Sequence, residues 1–130
     1  MKLLVFSAGK RQTGEKLAAV VLKKIATEEV EVIDEIGRFA QRLIDHKSDA
    51  DFAVIILTST GQDLETCFAV QELLYDVRLI IALHACDDES IARAHLFRPR
   101  FLTSNDANDF SDIQAVLVKM QNTMTVSAFH

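Results

Sequence analysis

Proline occurs once in this chain and glycine four times. So few breakers leave little room for linkers or disordered tails, and 130 residues fit one domain rather than two. Cysteine occurs twice, at Cys67 and Cys86, enough for one bridge and too little for a disulfide-stapled scaffold. Free thiols in a cytoplasmic protein are the expectation. Basic residues are outnumbered, giving a formal net charge of −5. That is the wrong sign for a surface that must displace counterions from nucleic acid. No apolar run approaches the roughly 18 residues that span a bilayer. The opening Met1-Lys2-Leu3-Leu4-Val5-Phe6 keeps its apolar run for four residues only, and Gly9-Lys10-Arg11-Gln12 is no cleavage site. Neither a signal peptide nor a membrane partner is expected.

What is present is a core. Hydrophobic residues make up 49% and charged residues 25%, and a chain of this size buries about two thirds of its unfolded surface. Five short apolar runs recur: Leu3 to Phe6, Val30 to Ile33, Phe52 to Leu57, Leu79 to Leu83, and Phe101 to Leu102. Helical spacing lies between them. Leu17, Val20, Val21 and Ile25 form one stripe, and Ile36, Phe39, Ala40 and Leu43 form another. Leu64, Cys67 and Phe68 open a third helix that ends near Tyr75. Ile91, Ala94 and His95 mark a weaker fourth, with His95 on its apolar face. Phe110, Ile113, Val116, Leu117 and Met120 mark the fifth. Residues 123–130 lose the spacing and read as a short C-terminal tail on a domain spanning 1–130.

Strand and helix alternate five times, which predicts a parallel sheet covered on both faces. Central parallel strands are buried on both sides and read as unbroken apolar sequence. The runs at 3–6, 52–57 and 79–83 do so. Val30-Glu31-Val32 alternates, and the fifth run is flanked by Arg100 and Thr103, so the second and fifth strands belong at the edges. Right-handed crossovers then give the order 2-1-3-4-5, a doubly wound, three-layer α/β sheet of flavodoxin-like kind.

Ligands of such sheets collect beyond the carboxyl ends of the strands, where strand order reverses. Two loops meet there: Ser7-Ala8-Gly9-Lys10-Arg11-Gln12-Thr13-Gly14, and Thr58-Ser59-Thr60-Gly61-Gln62-Asp63. Hydroxyls, backbone N–H groups at helix starts and the charges of Lys10 and Arg11 favour an anion. The candidate ligand-binding residues are therefore Ser7, Gly9, Lys10, Arg11, Thr13, Gly14, Thr58, Ser59, Thr60 and His84. The first loop fails as a Walker motif, because Glu15 follows Gly14, Lys16 comes one place late and Leu17 replaces the hydroxyl. The bland alternative makes Thr13 and Thr60 helix N-caps, the latter in a Thr60-x-x-Asp63 capping box, with the glycines in tight turns.

Thr13-Gly14-Glu15-Lys16-Leu17-Ala18 is similar to the phosphate loop of flavodoxins. Their flavin is sandwiched by aromatics from later loops, whereas this chain has no Trp and a single Tyr, Tyr75. No flavin or other cofactor is expected. Phe101-Leu102-Thr103-Ser104 and Ile81-Ala82-Leu83-His84-Ala85 resemble the fifth and fourth strands of response-regulator receiver domains, and the five-fold alternation and length agree. Carried over residue by residue, the receiver's acidic pair falls on Ser7 and Ala8, and its phosphoacceptor Asp on Ile56 or Leu57. Its hydroxyl falls on His84, and its Lys on Ser104, followed by Asn105. Asp51 begins its strand and is at the wrong end of the sheet. With these positions altered, no catalytic residue and no metal are expected. The resemblance implies a degenerate receiver: a non-enzymatic regulatory module in signal transduction, acting through protein contacts and as a homodimer. The alternative is a module binding a phosphorylated small molecule, nucleotide or flavin-like, at the loops after strands one and three.

His84-Ala85-Cys86-Asp87-Asp88 is a third possibility, an enzyme or zinc site with His95. Asp87 and Asp88 are equally explained as helix N-cap and first-turn acid. Arg93, Arg98 and Arg100 form a basic patch around Pro99, in a region through which receivers associate.

Overall fold

The computed structural model describes residues 2–8, 10–24, 29–47, 52–75, 77–104 and 110–127. Met1, Gly9, Ile25, Asp51 and Asn105, named above, lie outside them, as do residues 128–130 of the expected tail. The element order is β1 (Lys2–Ser7), α1 (Arg11–Lys24), β2 (Glu29–Ile33), α2 (Ile36–Asp45), β3 (Phe52–Leu57) and α3 (Gly61–Cys67). A 3₁₀ helix (Phe68–Leu74), β4 (Arg78–Leu83), α4 (Asp88–His95), β5 (Phe101–Ser104) and α5 (Ser111–Ser127) follow. All strand pairs are parallel, in the order β2-β1-β3-β4-β5. This is the flavodoxin-like order expected from the apolar runs.

The pleat of β3 divides the interior in two. Its alternate residues Ala53, Ile55 and Leu57 enter a core with Leu17 and Val21 of α1 and Ile113 and Leu117 of α5. Phe52, Val54 and Ile56 enter the other, with Phe39 of α2, Leu64 of α3 and Ala94 of α4. Every residue of β3 is buried, the signature of a strand with helices on both sides. Phe6 and Phe39 stack with centroids 4.4 Å apart and tie α2 to the sheet.

Three expectations are corrected. α1 begins at Arg11, so Thr13 lies inside its first turn and is not an N-cap. The cause is a short turn that closes on itself: Ser7 Oγ donates to the Lys10 carbonyl at 2.6 Å, and the Lys10 N–H donates to the Ser7 carbonyl at 3.3 Å. Gly14 is accordingly no turn glycine. It is a buried helical residue, pressed against β1 and β2. α5 runs on to Ser127, through residues expected to form a tail. No Pro or Gly interrupts 111–127, so the backbone hydrogen-bond ladder outlasts the apolar stripe. Finally, His95 is exposed. Ala94, with Phe97 just past the helix end, fills the core position instead.

Candidate functional site

The carboxyl edge of the sheet is built by the turn after β1, the segment Thr58–Thr60 after β3 and His84–Asp87 after β4. Because β3 and β4 are neighbours, their ends meet. Thr58 is fully buried, and its Oγ1 accepts the backbone N–H of His84 at 2.9 Å and donates to the Ala82 carbonyl at 3.3 Å. His84 Nδ1 lies 3.4 Å from the same oxygen. One hydroxyl thus locks two strand ends and one face of an imidazole, and a buried hydroxyl so engaged is satisfied rather than poised.

The other sequence-derived candidates divide into two groups. Ser7 is buried and spent on the Lys10 carbonyl. Lys10 and Arg11 are exposed, and Arg11 is shared between Glu15 at 3.1 Å and Asp34 at 4.0 Å. Thr13 and Gly14 belong to α1. Ser59 and Thr60 both donate backbone N–H groups to Asp63 Oδ2, at 2.6 and 3.1 Å, within a capping box whose N-cap is Thr60.

The same device recurs around the rim. Glu35 caps α2, its carboxylate accepting the N–H groups of Gly37 at 2.9 Å and Arg38 at 3.0 Å. Asp87 caps α4, accepting the Ser90 N–H at 2.8 Å. Hydrogen bonds from Ser90, with a smaller contribution from the charge of His84, hold the Asp87 carboxyl below its usual value of 3.8. N–H groups in the first turns of α2 and α4, and those of Ser59 and Thr60 just ahead of α3, therefore already donate to carboxylates of the chain itself.

A cleft of about 600 Å³ opens between α3 and α4, one strand away from the point where strand order reverses. Of the described residues among the expected ligand set, His84 and no other lines it; Gln62, Glu65, Asp87, Glu89, Ser90 and Arg93 form most of its polar wall. Arg93 pairs with Glu65 across the cleft and with Glu89 at 3.5 Å along its own helix. Three carboxylates thus face one guanidinium and one imidazole, which repels rather than attracts an anion. The Glu89-x-x-x-Arg93 spacing was visible in the sequence; Glu65, brought in from another helix, was not. Of the three arginines of the expected basic patch, Arg93 has these carboxylates and Arg98 lies 4.5 Å over the Tyr75 ring.

Cys67 lacks the features of a nucleophile. Burial, with the negative charge of Asp63 second, pushes the Cys67 thiol up to about 12. Cys86 is exposed and free. Among the described residues no three acidic, His or Cys side chains gather closely enough to hold a metal ion, and no helix is long and apolar enough to cross a membrane. Comparisons with family models, with curated proteins and with solved structures each return no match.

Proposed function

We propose that this chain is a non-enzymatic protein-interaction module of the signal-transducing kind, a degenerate receiver that works without phosphorylation and pairs with a second copy of itself in the cytoplasm. One observation carries the reading. The polar groups at the carboxyl edge are bound to one another: Thr58 to His84, and Asp63, Glu35 and Asp87 to helix N-termini. The position corresponding to a receiver's phosphoacceptor is filled by Ile56 or Leu57, both buried side chains that offer no oxygen. An edge so engaged suits a scaffold, and exposed Leu96 and Ile44 offer apolar contact to a partner. Calorimetric titration with Mg²⁺ and a beryllofluoride phosphoryl analogue gives no heat of binding under this reading; saturable binding overturns it. Light scattering is expected to return about twice the 14.5 kDa chain mass, and a monomer removes the homodimer.

A phosphorylated small molecule remains the second reading because of α1. Its first turn carries no acid and opens on Arg11 beside Lys10. A thermal-shift panel of nucleotides and flavins tests it. Stabilisation by a phosphorylated compound, abolished in Lys10→Ala, supports it, and a flat panel removes it.

A further inference from the structure

We propose that the C-terminal ends of α2 and α4, with the turns at 68–74 between them, form the face through which two copies of this chain pair about a two-fold axis. The inference rests on the homodimer proposed above and assigns its interface. Crossover helices run antiparallel to the strands, so their C-terminal ends gather at the amino edge of the sheet, away from the carboxyl rim. Among the described residues three large apolar side chains are exposed: Ile44, Leu96 and Val118. Ile44 and Leu96, at 53% and 55% exposure, belong to this one face. Val118 is on α5, across the sheet.

Helical spacing directs Ile44. Leu43 is buried, and consecutive residues advance about 100°, so Arg42 and Ile44 stand on opposite flanks of it. Arg42 reaches Glu31 at 3.0 Å, on β2, the outermost strand. Ile44 is therefore turned away from the sheet edge, to the flank where α2 meets 68–74. On the far side of 68–74, Gln71 Nε2 donates to the Leu96 carbonyl at 3.0 Å, and Phe68 packs on Phe97 with centroids 4.6 Å apart. Phe97 is buried there and Leu96 is left outside. Between the two exposed side chains Phe68 and Leu73 are half-buried, Ala69 is exposed, and residues 68–73 line a hollow of about 290 Å³. Two apolar projections flanking one hollow make a face that a two-fold can set against itself.

Charge makes a second copy the occupant. The formal net charge is −5, so two copies repel each other over most of their surface. The carboxyl rim concentrates acids, with Glu35, Asp63, Asp87, Asp88 and Glu89 at its helix starts. The opposite face is balanced among the described residues, exposed Asp45 and Glu72 standing against exposed Lys47 and Arg98. Its two apolar projections also have neighbours of opposite sign. Asp45 follows Ile44 directly, and Arg98 comes two residues after Leu96, its guanidinium 4.5 Å over the Tyr75 ring. A two-fold through 68–74 brings the Asp45 end of each copy to the Arg98 end of the other, so the pairing is made twice. An interface of standard size takes about 800 Å² from each partner, about a ninth of this chain's 7128 Å² surface. Ile44 and Leu96, two helix spacings or about 16–20 Å apart, suit a patch of that extent.

Light scattering across a dilution series tests the assignment in the full chain. Ile44→Glu and Leu96→Glu are each expected to weaken self-association by about tenfold or more, and Val118→Glu to leave it unchanged. A parent chain that is monomeric removes the homodimer and this interface with it. A dimer that survives both Ile44→Glu and Leu96→Glu overturns the interface and leaves the homodimer standing. Asp45→Arg is expected to weaken pairing by about tenfold, and Arg98→Asp added to the same chain to restore it; no restoration overturns the meeting of opposite ends. Cross-saturation between isotopically different copies of the unmodified chain needs no variant to fold. It should mark amides of 40–47, 68–73 and 95–98, and marks confined to other elements overturn the proposal.

Discussion

A Cβ placed on Gly14 would lie 2.7 Å from Val32 Cγ1 and 3.1 Å from Ser7 Cβ. Alanine gains about 1 kcal/mol over glycine in a helix interior, yet forcing an atom into a packed contact costs about 1–3 kcal/mol. Because Ser7 is buried and Val32 is stiff at Cβ, the steric cost is expected to win. Urea denaturation of Gly14→Ala should show a net loss of up to about 2 kcal/mol. The sequence presents this glycine as a turn residue between Thr13 and Glu15, since the close approach of α1 to β2 is a tertiary fact with no local signature. Cys67 and Cys86 were more legible, one on an apolar stripe and one in a polar loop. An alkylating reagent should therefore label Cys86 in the native chain and Cys67 upon unfolding. Cys67 also carries a pH dependence. Its thiol rises from 9.0 to about 12 on folding, so the unfolded chain binds fewer protons between those values and stability falls as pH rises through that window. The loss reaches about 4 kcal/mol by pH 12, and Cys67→Ser should remove most of this alkaline slope in a series of melts.

At the level of elements, the carboxyl rim is a row of helix starts that the chain closes with its own acids. Truncating such a cap costs about 1 kcal/mol, so Glu35→Ala and Asp63→Ala should each lower stability by about that amount in denaturant titrations. Asp87 adds a direction in pH. Its carboxyl is held below 3.8, so its contribution is present above that value and disappears as pH falls through the lower folded one. Asp87→Asn keeps an acceptor oxygen at every pH. Melting temperatures taken from pH 5 to 2 should therefore fall less steeply for it than for the parent chain. Thr60-x-x-Asp63 and Asp87 could be read as caps from spacing alone. Glu35 could not: glutamate is an unusual cap, and it reaches back here because Gly37 leaves space, a Cβ there falling 2.8 Å from Glu35 Oε1. The five helices and five strands follow from period and burial, each an average over several residues. The 3₁₀ turns that follow α3 escape such reading, because the backbone breaks at Val70 and each piece is too short to show a period. Thr58 and His84 were placed at one edge by strand order, but the cleft between α3 and α4 depends on where two helices come to rest.

For the molecule as a whole, the consequential property is that one sheet supports two cores. Ile55 and Ile56 are consecutive and both fully buried, yet Ile55 faces the α1 and α5 side and Ile56 the α2, α3 and α4 side. Removing one methylene from either costs about 0.5–1.5 kcal/mol. Since the two deletions sit in separate layers, Ile55→Val and Ile56→Val should add within about 0.5 kcal/mol in a double-mutant cycle. Hydrogen exchange should locate them differently. Ile55→Val is expected to speed exchange in α5, with little effect on α4, and Ile56→Val to do the reverse. A single cooperative core would spread both effects over every helix and couple the pair. The distinction bears on regulation: with the layers energetically separate, a partner seated on the α2–α4 side loosens or tightens that side while α1 and α5 hold the sheet. A measured coupling well above 0.5 kcal/mol would mean instead that binding on one side is felt throughout the chain.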